Sequence, residues 1–171
     1  MSRREKRDGA PDGLGDLVER RKVASNAPVA LVIDDDPEAC RLAGAMLAHL
    51  GYAARAVGTP DEAMHLLMDE TPALILTDLC LPMMDGISLI KLVRGMRDLR
   101  GVPMIAVSGV YDHRGAVARA LGEQGIYAYV TKPFTVAELR EASDFARSAA
   151  LRQGNPPVGT MKPGGVWDKE D

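Results

Sequence analysis

Four short groups of residues carry the side chains with which this chain could do chemistry: Asp34-Asp35-Asp36, Thr77-Asp78, Ser108 and Lys132-Pro133. Each follows an apolar run, and a buried strand that stops at a polar residue delivers that residue to its carboxyl end, where open α/β sheets keep their sites. Carboxylates drawn into one crevice repel one another unless a cation sits among them. Hard oxygen ligands with room for water suit Mg²⁺. A lysine and a hydroxyl facing that cation make sense around a phosphoryl group. Lys132 and the cation would offset the charge on its oxygens, Ser108 would donate a hydrogen bond, and Asp78 would be the nucleophile forming an acyl phosphate.

The surrounding sequence supplies elements that could place these groups. Val29-Ala30-Leu31-Val32-Ile33 reads as a strand covered on both faces. Asp36 as N-cap and Pro37 at the first helical position open a helix whose face is Ala39, Leu42, Ala43, Met46, Leu47 and Leu50, closed by Gly51. Tyr52 to Val57 is a second strand, and Thr59-Pro60-Asp61-Glu62 opens a helix running to about Asp69. Pro72 resets the chain for the strand ending at Asp78. A third helix spans roughly Gly86 to Met96, with Asp85 as its cap, and Val102 to Val107 is strand four. His113 to Gln124 reads as helix four and Tyr127 to Thr131 as strand five. Thr135-Val136-Ala137-Glu138 starts helix five, which fades near Leu151.

Five strands alternating with five helices predict an α/β fold, a doubly wound five-stranded parallel sheet. The flavodoxin-like order 2-1-3-4-5 places the switch point between strands one and three, with Asp34, Asp35 and Asp78 side by side.

Composition agrees with one domain: 171 residues, 46% apolar and 26% charged. Residues 1–27 hold seven Lys or Arg against five Asp or Glu and are expected to form a disordered charged arm. Residues 28–151, the expected domain, hold eleven against sixteen. The acidic part is therefore the folded part, which favours a cation over nucleic acid. Residues 152–171 are rich in Pro and Gly and are expected to be a flexible tail. Trp167 within it reads either as a plain tail residue or as a docking anchor. Cys40 and Cys80 have neither metal-site spacing nor the number for a disulfide framework. With no secretory signal and no bilayer-length apolar stretch, a cytoplasmic location is expected and membrane contact is not.

Val32-Ile33-Asp34-Asp35-Asp36, Thr77-Asp78-Leu79-Cys80-Leu81-Pro82-Met83-Met84-Asp85-Gly86, Val107-Ser108-Gly109 and Tyr129-Val130-Thr131-Lys132-Pro133-Phe134 occur in order at strand ends. Together they make the chain from about Val29 to Leu151 resemble the receiver domains of two-component response regulators, of the chemotaxis-type single-domain kind. The resemblance implies that Asp78 is the phosphoacceptor, and that Asp35, Asp78 and the backbone carbonyl of Cys80 ligate Mg²⁺ directly, with Asp34 acting through water. It makes Ser108 and Tyr129 the switch pair and Lys132-Pro133 the family's cis peptide. The implied partners are a histidine kinase or histidine phosphotransfer protein, and a downstream protein met by the face of helix four, strand five and helix five. Homodimerisation through that face stays open.

Cys80 and Val110, two residues beyond Asp78 and Ser108, are not the Asn or Glu types that orient hydrolytic water well, so slow autodephosphorylation is expected. The segment from Ser108 to Lys132 is about two residues longer than in compact receivers, with Tyr111-Asp112-His113-Arg114 as the added stretch. His113 reads as an exposed loop residue.

The expected role is a regulatory module without turnover of an external substrate. A haloacid dehalogenase-like phosphohydrolase would use Asp34 and Asp36, but no cap domain or matching Thr follows. A DNA-associated regulator would use Arg3, Arg4, Lys6, Arg7, Arg20, Arg21 and Lys22, although acids are interspersed among them. A phosphate-independent receiver-like scaffold is the remaining alternative.

Overall fold

The computed structural model describes residues 26–109, 120–126 and 128–151. The expectations for residues 1–25, Val110, the 111–114 stretch, His113 and the tail with Trp167 lie outside the described residues. Val29–Ile33 (β1), Ala53–Val57 (β2), Leu74–Asp78 (β3), Met104–Ser108 (β4) and Ala128–Thr131 (β5) form one sheet. All its pairs are parallel, in the order β2-β1-β3-β4-β5. The helices are Pro37–His49 (α1), Pro60–Asp69 (α2), Gly86–Gly95 (α3), residues 120–123 (α4) and Val136–Leu151 (α5).

Strand residues alternate between two cores because side chains leave a pleated strand on opposite faces. Leu31, Ile33, Ile75, Met104 and Ala106 pack with Ala63 and Leu67 of α2, Leu89 and Ile90 of α3, and Leu121 of α4. Ala30, Val32, Leu74, Leu76, Ile105 and Val107 pack on the other side with Ala43 and Leu47 of α1 and Leu139, Ala142 and Ala146 of α5. Burying each large aliphatic side chain contributes about 1.5–3 kcal/mol. The sheet is thus covered on both sides, which leaves its ends for polar groups.

The helix starts follow from capping. The Asp36 side chain accepts the Glu38 N–H at 2.9 Å at the head of α1. Thr59 accepts the Glu62 N–H at the head of α2, while Glu62 reaches back to the Gly58 N–H. Asp85 accepts the Ser88 N–H at 2.9 Å at the head of α3. Thr135 and Glu138 bond reciprocally before α5. Such caps satisfy donors that a helix start leaves without internal partners.

Several boundaries differ from expectation. Strand two starts at Ala53, and Tyr52 instead lies buried in the α1-side core. Strand four starts at Met104, because Pro103 has no N–H to give a ladder, although its carbonyl accepts from Ile75. Helix three stops at Gly95, and a 3₁₀ turn at Arg97–Leu99 follows that no periodicity announced. Leu42, expected on the buried face of α1, is half exposed. Ala43 and Leu47 occupy the stripe against the sheet, and one residue is about 100° of helical turn away from it.

Candidate functional site

The parallel register staggers the strand ends into one crevice. Ile33 pairs with Thr77, Asp78 with Val107 and Ser108 with Thr131. Asp34, Asp78, Ser108 and Lys132 therefore follow one another around the carboxyl end of the sheet. Asp34 and Asp78 are each only 6% exposed, as is Ser108, while Asp35 lies exposed beside them. One carboxylate oxygen from each of Asp34, Asp35 and Asp78 lies within 4.8 Å of the other two.

Backbone geometry holds each acid. The Asp34 N–H donates to the Val57 carbonyl at 3.1 Å, and its Oδ1 accepts the Asp36 N–H at 3.0 Å. Asp78 Oδ1 accepts the Cys80 N–H at 2.7 Å, and the Leu79 N–H continues the strand to the Val107 carbonyl. The Lys132 N–H donates to the Ser108 carbonyl at 2.8 Å, and the Lys132-Pro133 peptide is cis.

Lys132 Nζ bonds Oδ2 of Asp34 and Oδ2 of Asp78. Burial pulls its pKa down, but hydrogen bonds and charge from Asp34 and Asp78 outweigh that and hold the ammonium above its ordinary range. One ammonium among three carboxylates leaves a local excess of two negative charges. That excess, made of hard oxygen donors at the mouth of a crevice, fits a hydrated divalent ion of the Mg²⁺ type.

The remaining expected residues divide. Cys80 is exposed on the loop after Asp78. Tyr129 is half-buried against the core shared by α2, α3 and α4. Asp36 and Asp85 serve as helix caps, and the Ser88 hydroxyl with the Ser88 N–H holds the Asp85 carboxyl below its usual range. Two neighbours of the site were not singled out by spacing. The Cys40 thiol donates to the Asp34 carbonyl at 3.2 Å, and burial, with the Asp34 charge, pushes its pKa up. Gly86, the first residue of α3, lies directly on the Asp78-Leu79 backbone. No pattern within one sequence separates such a glycine from an ordinary turn glycine.

The order β2-β1-β3-β4-β5, with clustered carboxylates at the switch point between β1 and β3 and a lysine bridging two of them, defines a flavodoxin-like doubly wound domain with an acidic pocket at the carboxyl end of its sheet. Residues 30–144 match the response regulator receiver domain, and the chain belongs to that family. It is 34% identical over 110 residues to the DNA-binding response regulator MtrA of Mycolicibacterium smegmatis, covering 64% of this chain and 46% of that one. It is 30% identical over 126 residues to the transcriptional regulatory protein GlrR of Escherichia coli, covering 74% of this chain and 27% of that one. The chain thus spans less than half of each of these regulators. Among solved structures, the signal receiver domain of a signal transduction histidine kinase from Syntrophus aciditrophicus superposes with a TM-score of 0.63 at 29% identity, covering 74% of this chain and 95% of that one. Among the described residues no helix is long and apolar enough to cross a membrane.

Proposed function

We propose that this receiver domain works in two-component signalling by taking a phosphoryl group onto Asp78. The observation that carries the reading is the shared contact of Lys132 with Asp34 and Asp78 inside a cluster of three carboxylates. The donor is a phosphohistidine of a kinase or phosphotransfer protein. An Asp78 carboxylate oxygen attacks phosphorus, the P–N bond breaks as the P–O bond forms, and the imidazole leaves with the electron pair. Later attack by water returns the carboxylate and releases phosphate, so the domain performs chemistry on itself and turns over no external substrate.

Asp35 and Asp78, with the Cys80 backbone carbonyl, would hold Mg²⁺, and Asp34 would reach it through water. When bound, the ion supplies charge compensation for the phosphoryl oxygens. Lys132 stays protonated and moves its charge from the Asp78 carboxylate to the incoming phosphoryl oxygens. Ser108 donates a hydrogen bond to the same group, and Tyr129 follows into the space Ser108 leaves, reshaping the face of α4, β5 and α5. A downstream protein reads that face, and the module acts in the cytoplasm.

Intact-mass measurement after incubation with Mg²⁺ and a small phosphoramidate donor tests this. A single phosphoryl adduct that needs Mg²⁺ and is lost in Asp78→Asn is expected. No adduct, together with no response to beryllofluoride, would leave a phosphate-independent scaffold.

A further inference from the structure

We infer that Gly86 is a positioning residue for the acidic pocket, because its missing side chain lets α3 seat directly on the peptide that carries Asp78. A Cβ at Gly86 would lie 2.6 Å from Leu79 Cα and would also overlap the Asp78 carbonyl oxygen. Both are backbone atoms, so neither can swing aside as a flexible side chain would. Gly86 is buried, and its N–H donates to the Leu79 carbonyl at 3.0 Å.

That bond closes the base of the loop running from Cys80 to Asp85. Inside the loop Met83 is 97% exposed and adopts a left-handed conformation, with φ of 68°. At the base, by contrast, Asp78 Oδ1 accepts the Cys80 N–H, and Leu79 is still bonded to β4. The orientation of the Asp78 carboxylate is therefore fixed where α3 meets the strand end, not by the exposed tip. Displacing the helix start by the bulk of one methyl group shifts the Asp78-Leu79-Cys80 turn. It leaves Asp34 and Asp35, which belong to the β1–α1 junction, where they are.

The inference rests on the proposed Mg²⁺ reading, and Mg²⁺ itself is the probe. Titration of the full chain with Mg²⁺, followed by amide NMR shifts of Leu79 and Cys80, is compared for wild type, Gly86→Ala and Gly95→Ala. Gly95 ends the same helix with nothing within 4 Å of an added Cβ. Gly86→Ala is expected to lose about tenfold or more in Mg²⁺ affinity, as loss of a group that orients a ligand does. Gly95→Ala should bind as wild type does. Undiminished binding by a folded Gly86→Ala overturns the inference alone. No binding by wild type removes the reading beneath it, and the inference falls too. If Gly86→Ala fails to fold, a chain with one glycine inserted between Pro82 and Met83 decides. Unchanged Mg²⁺ affinity supports the clamp at the base, and a loss overturns it.

Discussion

Lys132 Nζ lies 2.5 Å from Oδ2 of Asp34, joining the carboxyl end of β1 to that of β5 across the two intervening strands. The same ammonium reaches Asp78. It thereby offsets part of the repulsion between two carboxylates that are each almost fully buried. Lys132→Met removes that compensation. The variant is expected to lose about 1.5–3 kcal/mol in urea unfolding, the usual worth of a hydrogen bond to a charged group. Added Mg²⁺ should raise its melting temperature more than that of wild type, because the divalent ion then supplies the missing positive charge. Equal responses would show that Lys132 and the cation do not share the pocket's charge.

The Lys132 pKa is held above its ordinary value of 10.5 in the folded chain. A raised folded-state pKa means stability that is fully present below the unfolded value and is lost as pH rises through the folded one. The stability difference between wild type and Lys132→Met should accordingly be flat through neutral pH and shrink only above about pH 10.5. A difference that shrinks between pH 6 and 8 would implicate another group.

Asp85 behaves with the opposite sign. Its carboxyl is held below 3.8 by the Ser88 hydroxyl and N–H, so its contribution is present above that value and lost as pH falls through the lowered one. Asp85→Ala should cost about 1 kcal/mol at neutral pH, as loss of an N-cap does. The cost should fade in acid, which urea unfolding at pH 7 and pH 3 would detect.

Cys80 is exposed, whereas Cys40 is half-buried, bonded to the Asp34 carbonyl and raised in pKa. Iodoacetamide at neutral pH should label Cys80 first, since the thiolate is the reacting form. Peptide mapping after partial labelling reads the order, and faster labelling of Cys40 would contradict the contact with Asp34.

With Cys80 two residues beyond Asp78, hydrolytic water has no amide or carboxylate there to orient it. The phosphoryl adduct on Asp78 should persist long enough to isolate, and Cys80→Asn should shorten its lifetime. Decay within seconds in the wild-type chain at neutral pH would sink the argument.

Much of this architecture was legible in the chain itself. Short continuous apolar runs, Pro at first helical positions, and the Asp36, Thr59, Asp85 and Thr135 caps act over a few residues, so local sequence alone identifies them. The five-stranded order followed because right-handed crossovers leave few ways to wind alternating strands and helices. The half-exposed Leu42 and the 3₁₀ turn at Arg97–Leu99 were not legible, because each depends on what the rest of the fold covers.

The sequence by itself determined which residues end the strands, and hence that Asp34, Asp78, Ser108 and Lys132 belong to one rim. Only the tertiary structure decided how they meet: Lys132 shared between two acids, Cys40 bonded beneath Asp34, and Gly86 seated on the Asp78 peptide. Strand ends are set by local patterning within a handful of residues. Contacts across 98 residues, such as that between Asp34 and Lys132, are set by register and by the close approach of backbones. Neither of these is written in the spacing of side chains along one segment.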